Sequence, residues 1–272
     1  MSTEGRNPRS FGLDKMTPLE LVQLMNEEEQ SVLRAMDRAA EPLAQAAAKA
    51  AETFQAGGRI VYVGAGTSGR MAVMDAAEMP PTFGIEPDRF VAVVAGGQAA
   101  QGQAVEDAED SEHAAIAALN ELEVGRGDIV IGIAASGRTP YVVAAVRHAG
   151  QKGIWTCGIS NNPNTPLLKE AALGVLLDTG PEVLTGSTRL KAGTSQKLAL
   201  NRISTAAMVL SGKVIENLMV DVKAKNQKLK ERCVRIVREL TTATEEEAWH
   251  ALEKSDWNVR TVLESLRGVA TH

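Results

Sequence analysis

Histidine, cysteine and aromatic side chains are scarce in this sequence. Its 272 residues include 4 His, 2 Cys and 3% aromatics. Two cysteines, Cys157 and Cys233, are too few for a disulfide framework or a Cys₄ zinc site. His113, His148, His250 and His272 lie far apart, with no H-x-x-x-H pair, so a His-rich metal centre is not expected. No apolar run approaches the roughly 18 residues of a membrane helix. Met1 to Lys15 lacks the apolar stretch of a signal peptide. The formal net charge of −5 provides no global basic field for nucleic acid or a membrane surface. The expectation is a cytoplasmic protein with reduced thiols.

What remains is aliphatic and helix-prone. Alanine alone accounts for 40 residues, and 44% of the chain is hydrophobic against 23% charged. The catalytic groups available in quantity are carboxylates, hydroxyls, Lys and Arg. Thr17-Pro18-Leu19-Glu20 reads as a helix start, with Thr as cap, Pro in the first turn and Glu closing a capping box. Helical periodicity continues, broken near Pro42, to Phe54, and Gly57-Gly58 ends it. Short β-rich runs at 59–63, 90–94, 128–133, 154–159 and 173–177 then alternate with helices near 69–79, 111–123, 140–149 and 191–210. That alternation predicts an α/β fold, a mostly parallel sheet between helical layers. Ligands in such sheets bind at the carboxyl ends of the strands. Residues 223–238 carry seven basic side chains and one acid, read as a solvated helix face, and the last 30 or so residues read as a small helical bundle. The division expected is 1–56 as N-terminal helices, 57–222 as the α/β domain and 223–272 as a helical tail.

The most informative segment is Val61-Tyr-Val-Gly-Ala-Gly-Thr-Ser-Gly-Arg70. Gly64, Gly66 and Gly69 match G-x-G-x-x-G, yet a dinucleotide site wants an acid at the end of the second strand, and Val94-Ala-Gly-Gly97 has none. No Gly-Lys-Ser/Thr follows, so a Walker loop is excluded. The loop carries two hydroxyls, Thr67 and Ser68, where a helix begins, and the N–H groups and dipole of a helix start favour an anion. A second copy, Val130-Ile-Gly-Ile-Ala-Ala-Ser-Gly-Arg-Thr139, repeats the pattern of strand, small residues and Ser-Gly-Arg. A third hydroxyl-rich turn, Thr185 to Lys191, also precedes a helix. Together they point to a phosphate monoester site formed by converging turns.

These residues resemble the sugar isomerase (SIS) fold, a flavodoxin-like three-layer αβα sandwich that binds phosphosugars. The blocks Asp75–Thr82, Ala104–Asp110, Gly132–Tyr141 and Thr185–Thr194, with Thr3–Asn7 and Asn217–Asp221, are similar to the N-acetylmuramic acid 6-phosphate etherase family. The resemblance covers nearly the whole chain and includes a tail similar to a ubiquitin-associated bundle. It implies cleavage of a D-lactyl ether to N-acetylglucosamine 6-phosphate and D-lactate in cell-wall recycling, with no metal or organic cofactor and with a homodimer.

The implied chemistry is elimination on the open-chain sugar, whose C1 aldehyde acidifies the C2 proton, followed by water addition. It needs one general base and one general acid. By resemblance, Glu109 takes the C2 proton and Glu78 serves the leaving and entering oxygen, with partial burial expected to keep Glu78 protonated. On the residues alone, Glu78 reads as a surface carboxylate at a helix end. Glu109, with Glu106, Asp107 and Asp110, reads as a solvated acidic run or a Mg²⁺ site. The expected substrate-binding residues are Gly66, Thr67, Ser68, Gly69, Ser136, Gly137, Arg138, Thr139, Ser187, Thr188 and Lys191. An aldose–ketose isomerase and a non-catalytic phosphosugar sensor are the competing readings.

Overall fold

The computed structural model describes residues 3–103, 105, 107–224 and 226–268. Ala104 and Glu106 of the acidic block, and His272, lie outside the described residues. Two 3₁₀ turns, Pro8–Ser10 and Leu13–Lys15, lead into α1 (Pro18–Arg38). Thr17 caps α1, and the reciprocal capping box with Glu20 is formed. The periodicity break falls at Ala39, so Pro42 lies in the first turn of α2 (Ala40–Gln55), where its missing N–H costs no helical bond. Gly57 ends that helix at φ 89°, with its N–H on the Phe54 carbonyl and the Gly58 N–H on Thr53, a Schellman closure.

The order then runs β1 (Ile60–Gly64), α3 (Gly66–Phe83), β2 (Phe90–Val94), α4 (Ala99–Gly102), a 3₁₀ turn (Ala108–Asp110), α5 (Glu112–Glu121), β3 (Ile129–Ala134), α6 (Pro140–Gln151), β4 (Trp155–Ser160), α7 (Pro166–Glu170), β5 (Leu173–Leu176) and α8 (Lys191–Leu210). The five strands are all parallel, in the order β2-β1-β3-β4-β5. This is the flavodoxin-like order, in which the crossovers diverge between β1 and β3.

Side chains leave β1 on alternate faces. Val61 and Val63 pack with α5 and α6 through Ala115, Leu119, Val142 and Val146. On the other face, the Tyr62 hydroxyl donates to Asp75 of α3 at 2.9 Å, and Asp75 also accepts from Asn201 and Ser204 of α8. α2 also packs against β1 and β5. The predicted three-layer sandwich is thus present, with strand limits within about a residue of those read from the sequence. One helix differs. α3 was expected to stop before Pro80-Pro81 but continues through both to Phe83. A proline in the last turn removes a donor yet keeps its carbonyl, and the Pro80 carbonyl accepts from the Gly84 N–H at 3.0 Å.

The described chain divides into two compact units, 1–76 with 88–207, and 77–87 with 208–272. The second contains a hairpin absent from the sequence reading, β6 (Val214–Ile215) and β7 (Leu218–Met219), turning at Glu216 with φ 54°. Three helices follow, α9 (Gln227–Leu240), α10 (Glu245–Lys254) and α11 (Val259–Gly268). Their core is Cys233, Val234, Ile236, Val237, Leu252, Val259 and Val262, so the described basic residues of α9 line its outer side. Trp249 and Trp257 pack edge to face at 5.0 Å, and the Lys230 ammonium lies 4.6 Å over the Trp257 ring. Among the described residues no helix is long and apolar enough to cross a membrane.

The starts of β1 and β3 are clamped by charge. Arg59 donates through N–H and Nε to Asp128 Oδ1 at 2.9 and 3.2 Å, and through Nη2 to Oδ2 at 2.8 Å. Burial pushes the Asp128 carboxyl up, but Arg59 and the Gly125 N–H outweigh it and hold it below the ordinary aspartate value. Asp128→Ala therefore costs about 2 kcal/mol, because the partly buried guanidinium keeps the Leu122 and Glu123 carbonyls but loses its anion. Since the folded value is depressed, the stability gap between wild type and variant is full above about pH 4 and shrinks as the pH falls further. Urea unfolding of both proteins across pH 2–7 checks it.

Candidate active site

The first turn follows β1, one of the three strands with neighbours on both sides. A Cβ on Gly64 would stand 2.7 Å from the Gly69 nitrogen, one on Gly69 would stand 2.7 Å from Val94 Cγ1, and Gly66 has φ 52°. Backbone crowding and handedness thus account for all three glycines. They do not account for the hydroxyls. Thr67 is half-buried and Ser68 buried in the first turn of α3, and neither side chain makes a hydrogen bond among the described residues.

The second turn leaves β3, which pairs with β1 so that Gly64 faces Ile133. The two Ser-Gly-Arg turns are therefore neighbours at the carboxyl edge, where the crossovers diverge. Ser136 Oγ accepts the Arg138 N–H at 3.1 Å, and Gly137 turns at φ 62° against Ser160 and Thr165. Arg138 is exposed, and Thr139 precedes Pro140, the first residue of α6. The third turn meets the first. A Cβ on Gly193, in the opening turn of α8, would stand 3.5 Å from both the Thr188 carbonyl and Thr67 Cγ2. Ser187 and Thr188 are half-buried, with no side-chain hydrogen bond among the described residues.

Two charged groups beside the third turn are already engaged, against the expectation that Lys191 binds substrate. Lys191 is buried, and its Nζ lies 2.6 Å from Glu28 Oε2 of α1, so its ammonium is committed to an ion pair rather than open to solvent. Burial raises the Glu28 carboxyl, but hydrogen bonds from Lys191 and Asn7 prevail and hold it below the ordinary value. Glu182 is fully buried and accepts the Lys191 and Ala192 N–H groups at 3.1 and 2.9 Å. It caps α8 and fills the anion position that a helix start offers. Burial pushes its pKa up, more than those N–H groups lower it.

The two candidate catalytic carboxylates are exposed. Glu109 lies in the 3₁₀ turn before α5, a turn that packs on α6, and the same connection is tied to α3 where Arg70 Nη2 donates to the Gln103 carbonyl at 3.0 Å. Glu78 lies on α3, and the partial burial expected for it is absent because its side of the helix faces solvent. It stands 12 residues beyond Gly66, about 18 Å along a helix rising 1.5 Å per residue. Asp75, one turn earlier, is buried and triply hydrogen-bonded, with its pKa raised by burial, so it joins α3 to α8 and β1. Burial pushes the Cys157 thiol up to about 12 and the Cys233 thiol up to about 11, which removes both as nucleophiles.

Comparison with known proteins places this arrangement. The family described as the glucokinase regulatory protein N-terminal SIS domain matches residues 42–149, the SIS domain matches 104–203, and the C-terminal lid domain of glucokinase regulatory protein matches 216–272. A protein named N-acetylmuramic acid 6-phosphate etherase from Serratia proteamaculans is 48% identical over 268 residues, covering 98% of this chain and 90% of its own. A protein of the same name from a Geobacillus strain is 48% identical over 263 residues, covering 97% and 89%. The chain belongs to the N-acetylmuramic acid 6-phosphate etherase family. Among solved structures, phosphoheptose isomerase from Neisseria gonorrhoeae shares the fold with a TM-score of 0.51 at 21% identity, covering 70% of this chain and 99% of that one. A putative phosphosugar isomerase from Bacteroides fragilis gives 0.53 at 21%, covering 74% and 95%.

In this etherase-family chain the fold adds partners that residue reading did not supply: Glu28 for Lys191, and Asn162 for Thr3. The Asn161-Asn162 pair directly after β4 was the available signal, since polar residues at a strand's carboxyl end lie where ligands bind. Two outcomes separate the roles assigned by geometry. Ser68→Ala and Ser136→Ala each weaken phosphosugar binding about tenfold with little change in melting temperature. Lys191→Met leaves buried Glu28 with only Arg9, at 3.1 Å on its other oxygen, as a cation and costs about 2 kcal/mol of stability. Calorimetric titration and thermal unfolding measure them.

Proposed function

We propose that this protein cleaves the D-lactyl ether of N-acetylmuramic acid 6-phosphate, yielding N-acetylglucosamine 6-phosphate and D-lactate as a carbon–oxygen lyase. The observation that carries the reading is family membership over almost the full chain, joined to hydroxyls on neighbouring turns of one sheet edge, of which Thr67 and Ser68 make no side-chain hydrogen bond among the described residues. Phosphate held at the Ser68 and Ser136 turns orients a sugar whose reacting atoms lie elsewhere. In the open-chain form, Glu109 removes the C2 proton, the electron pair forms the C2–C3 double bond, and the C3–O bond breaks as Glu78 protonates the lactate oxygen. Glu78, now a carboxylate, takes a proton from water as its oxygen adds to C3, and Glu109 returns the proton to C2. No residue in this scheme needs a thiol or a metal.

The reading includes a homodimer. Leu19, Val22 and Leu33 lie along one side of α1 with 66%, 55% and 58% of their surface exposed, an apolar stripe suited to a second copy. A cytoplasmic setting, where Cys157 and Cys233 stay reduced, completes the reading.

The matches to glucokinase regulatory protein domains give a second reading, a phosphosugar sensor without catalysis. Incubation with N-acetylmuramic acid 6-phosphate decides between them. Enzymatic assay of D-lactate is expected to show release, and none from folded protein sinks the etherase. Glu109→Gln is expected to keep substrate affinity and lose exchange of the C2 proton with deuterated water. Light scattering after gel filtration is expected to give twice the chain mass, falling to one chain in Val22→Glu/Leu33→Glu.

A further inference from the structure

The N-terminal segment contributes a carboxylate that the chemistry above leaves unused. Thr3 is fully buried: its N–H donates to Asn162 Oδ1 at 3.3 Å, and its hydroxyl accepts from Asn162 Nδ2 at 2.8 Å. The same Nδ2 donates to the Ala135 carbonyl at 2.9 Å, next to Ser136 of the second turn. Four residues on, Asn7 Nδ2 donates at 2.7 Å to Glu28 Oε2, the oxygen that holds Lys191 at the head of α8. The segment is therefore pinned to its own chain beside two of the three hydroxyl turns. Between the pins Glu4 is exposed, and it lies against the third turn, where a Cβ on Gly186 would stand 3.3 Å from Glu4 Oε2. Glu4 has no cation partner and no hydrogen bond among the described residues.

A carboxylate at that turn repels phosphate, and the N–H groups of α8 are already taken by Glu182. The Glu4 carboxylate and a helix start already capped by Glu182 thus make the third turn a poor phosphate site. They leave the first and second turns for the anion. What the third turn offers is acceptors: Glu4, with the Ser187 and Thr188 hydroxyls able to give or take a hydrogen bond. Neutral donors on a sugar, hydroxyl or amide N–H, match that set.

We propose that Glu4 is a substrate-binding carboxylate which, with Ser187 and Thr188, receives the neutral hydroxyl or acetamido donors of the sugar, while the phosphate is held at the Ser68 and Ser136 turns. This rests on the phosphosugar reading above and assigns the polar body of the ligand to a different turn from its phosphate. The N-terminal segment then serves its own chain's site.

Calorimetric titration of the full chain with N-acetylglucosamine 6-phosphate and, separately, with inorganic phosphate tests the assignment. Glu4→Ala is expected to weaken the sugar phosphate about tenfold or more, with inorganic phosphate unchanged or tighter. Glu4→Gln keeps one acceptor oxygen and falls between wild type and Ala. The melting temperature stays within a degree or so, because Glu4 is exposed. An unchanged affinity for the sugar phosphate overturns the proposal, as does an equal loss for both ligands or a loss accompanied by lower thermal stability. Wild-type protein that binds inorganic phosphate but not the sugar phosphate sinks the phosphosugar reading itself. Sugar-phosphate binding that Glu4→Ala leaves intact sinks only the role of Glu4.

Discussion

Parallel pairing of β1 with β3, Gly64 opposite Ile133, is the constraint from which the site's layout follows. Parallel strands need crossover helices, and in the order β2-β1-β3-β4-β5 those crossovers leave β1 and β3 toward opposite faces. The turns after the two strands then border one crevice whatever their sequence. Small residues in both turns keep it open, and hydroxyls at both helix starts give it polarity. Arg59 and Asp128 fix the opposite ends of the same two strands, so the register that aligns the turns is held at both ends.

Buried carboxylates organise the rest. Asp75 gathers Tyr62, Asn201 and Ser204; Glu182 caps α8; Glu28 holds Lys191 and Asn7. Each is buried and each is satisfied by several donors, the condition under which a charge is tolerated away from water. Burial raises Asp75 and Glu182, whereas the Lys191 ammonium keeps Glu28 below its ordinary value. At Glu28 the hydrogen bonds from Lys191 and Asn7, with the charges of Lys191 and Arg9, outweigh desolvation; at Asp75 and Glu182 desolvation prevails. The carboxylates assigned to chemistry, Glu78 and Glu109, are exposed instead. The interior ones hold elements in place, and among the described residues Thr67, Ser68, Ser187 and Thr188 keep their hydroxyls without a hydrogen bond.

Much of this was legible from local chemistry. The Thr17 capping box, the Gly57 helix end, the five strands and the helix at Lys191 depend on residues within a few positions of one another. The hydroxyl turns could be read for the same reason. The continuation of α3 through Pro80-Pro81 was not, because a proline signals a stop whether or not its carbonyl finds a donor in the last turn. The β6–β7 hairpin was not, because two-residue strands carry no periodicity to detect.

By itself, the amino-acid sequence determined the repertoire: an aliphatic α/β chain, poor in His and Cys, with hydroxyls at strand-to-helix turns and carboxylates as its acid–base groups. The tertiary structure alone decided which of those groups are free. Lys191 reads as a phosphate ligand until Glu28, 163 residues away in sequence, is found 2.6 Å from it. Nothing near Glu182 in the sequence shows that α8 rests its N–H groups on it. Nothing near Thr3 in the sequence shows that Asn162 holds it at the sheet's edge. The reason is common to all three. A charge or donor is available only if nothing else has satisfied it, and its partners are set by long-range packing that no local pattern encodes.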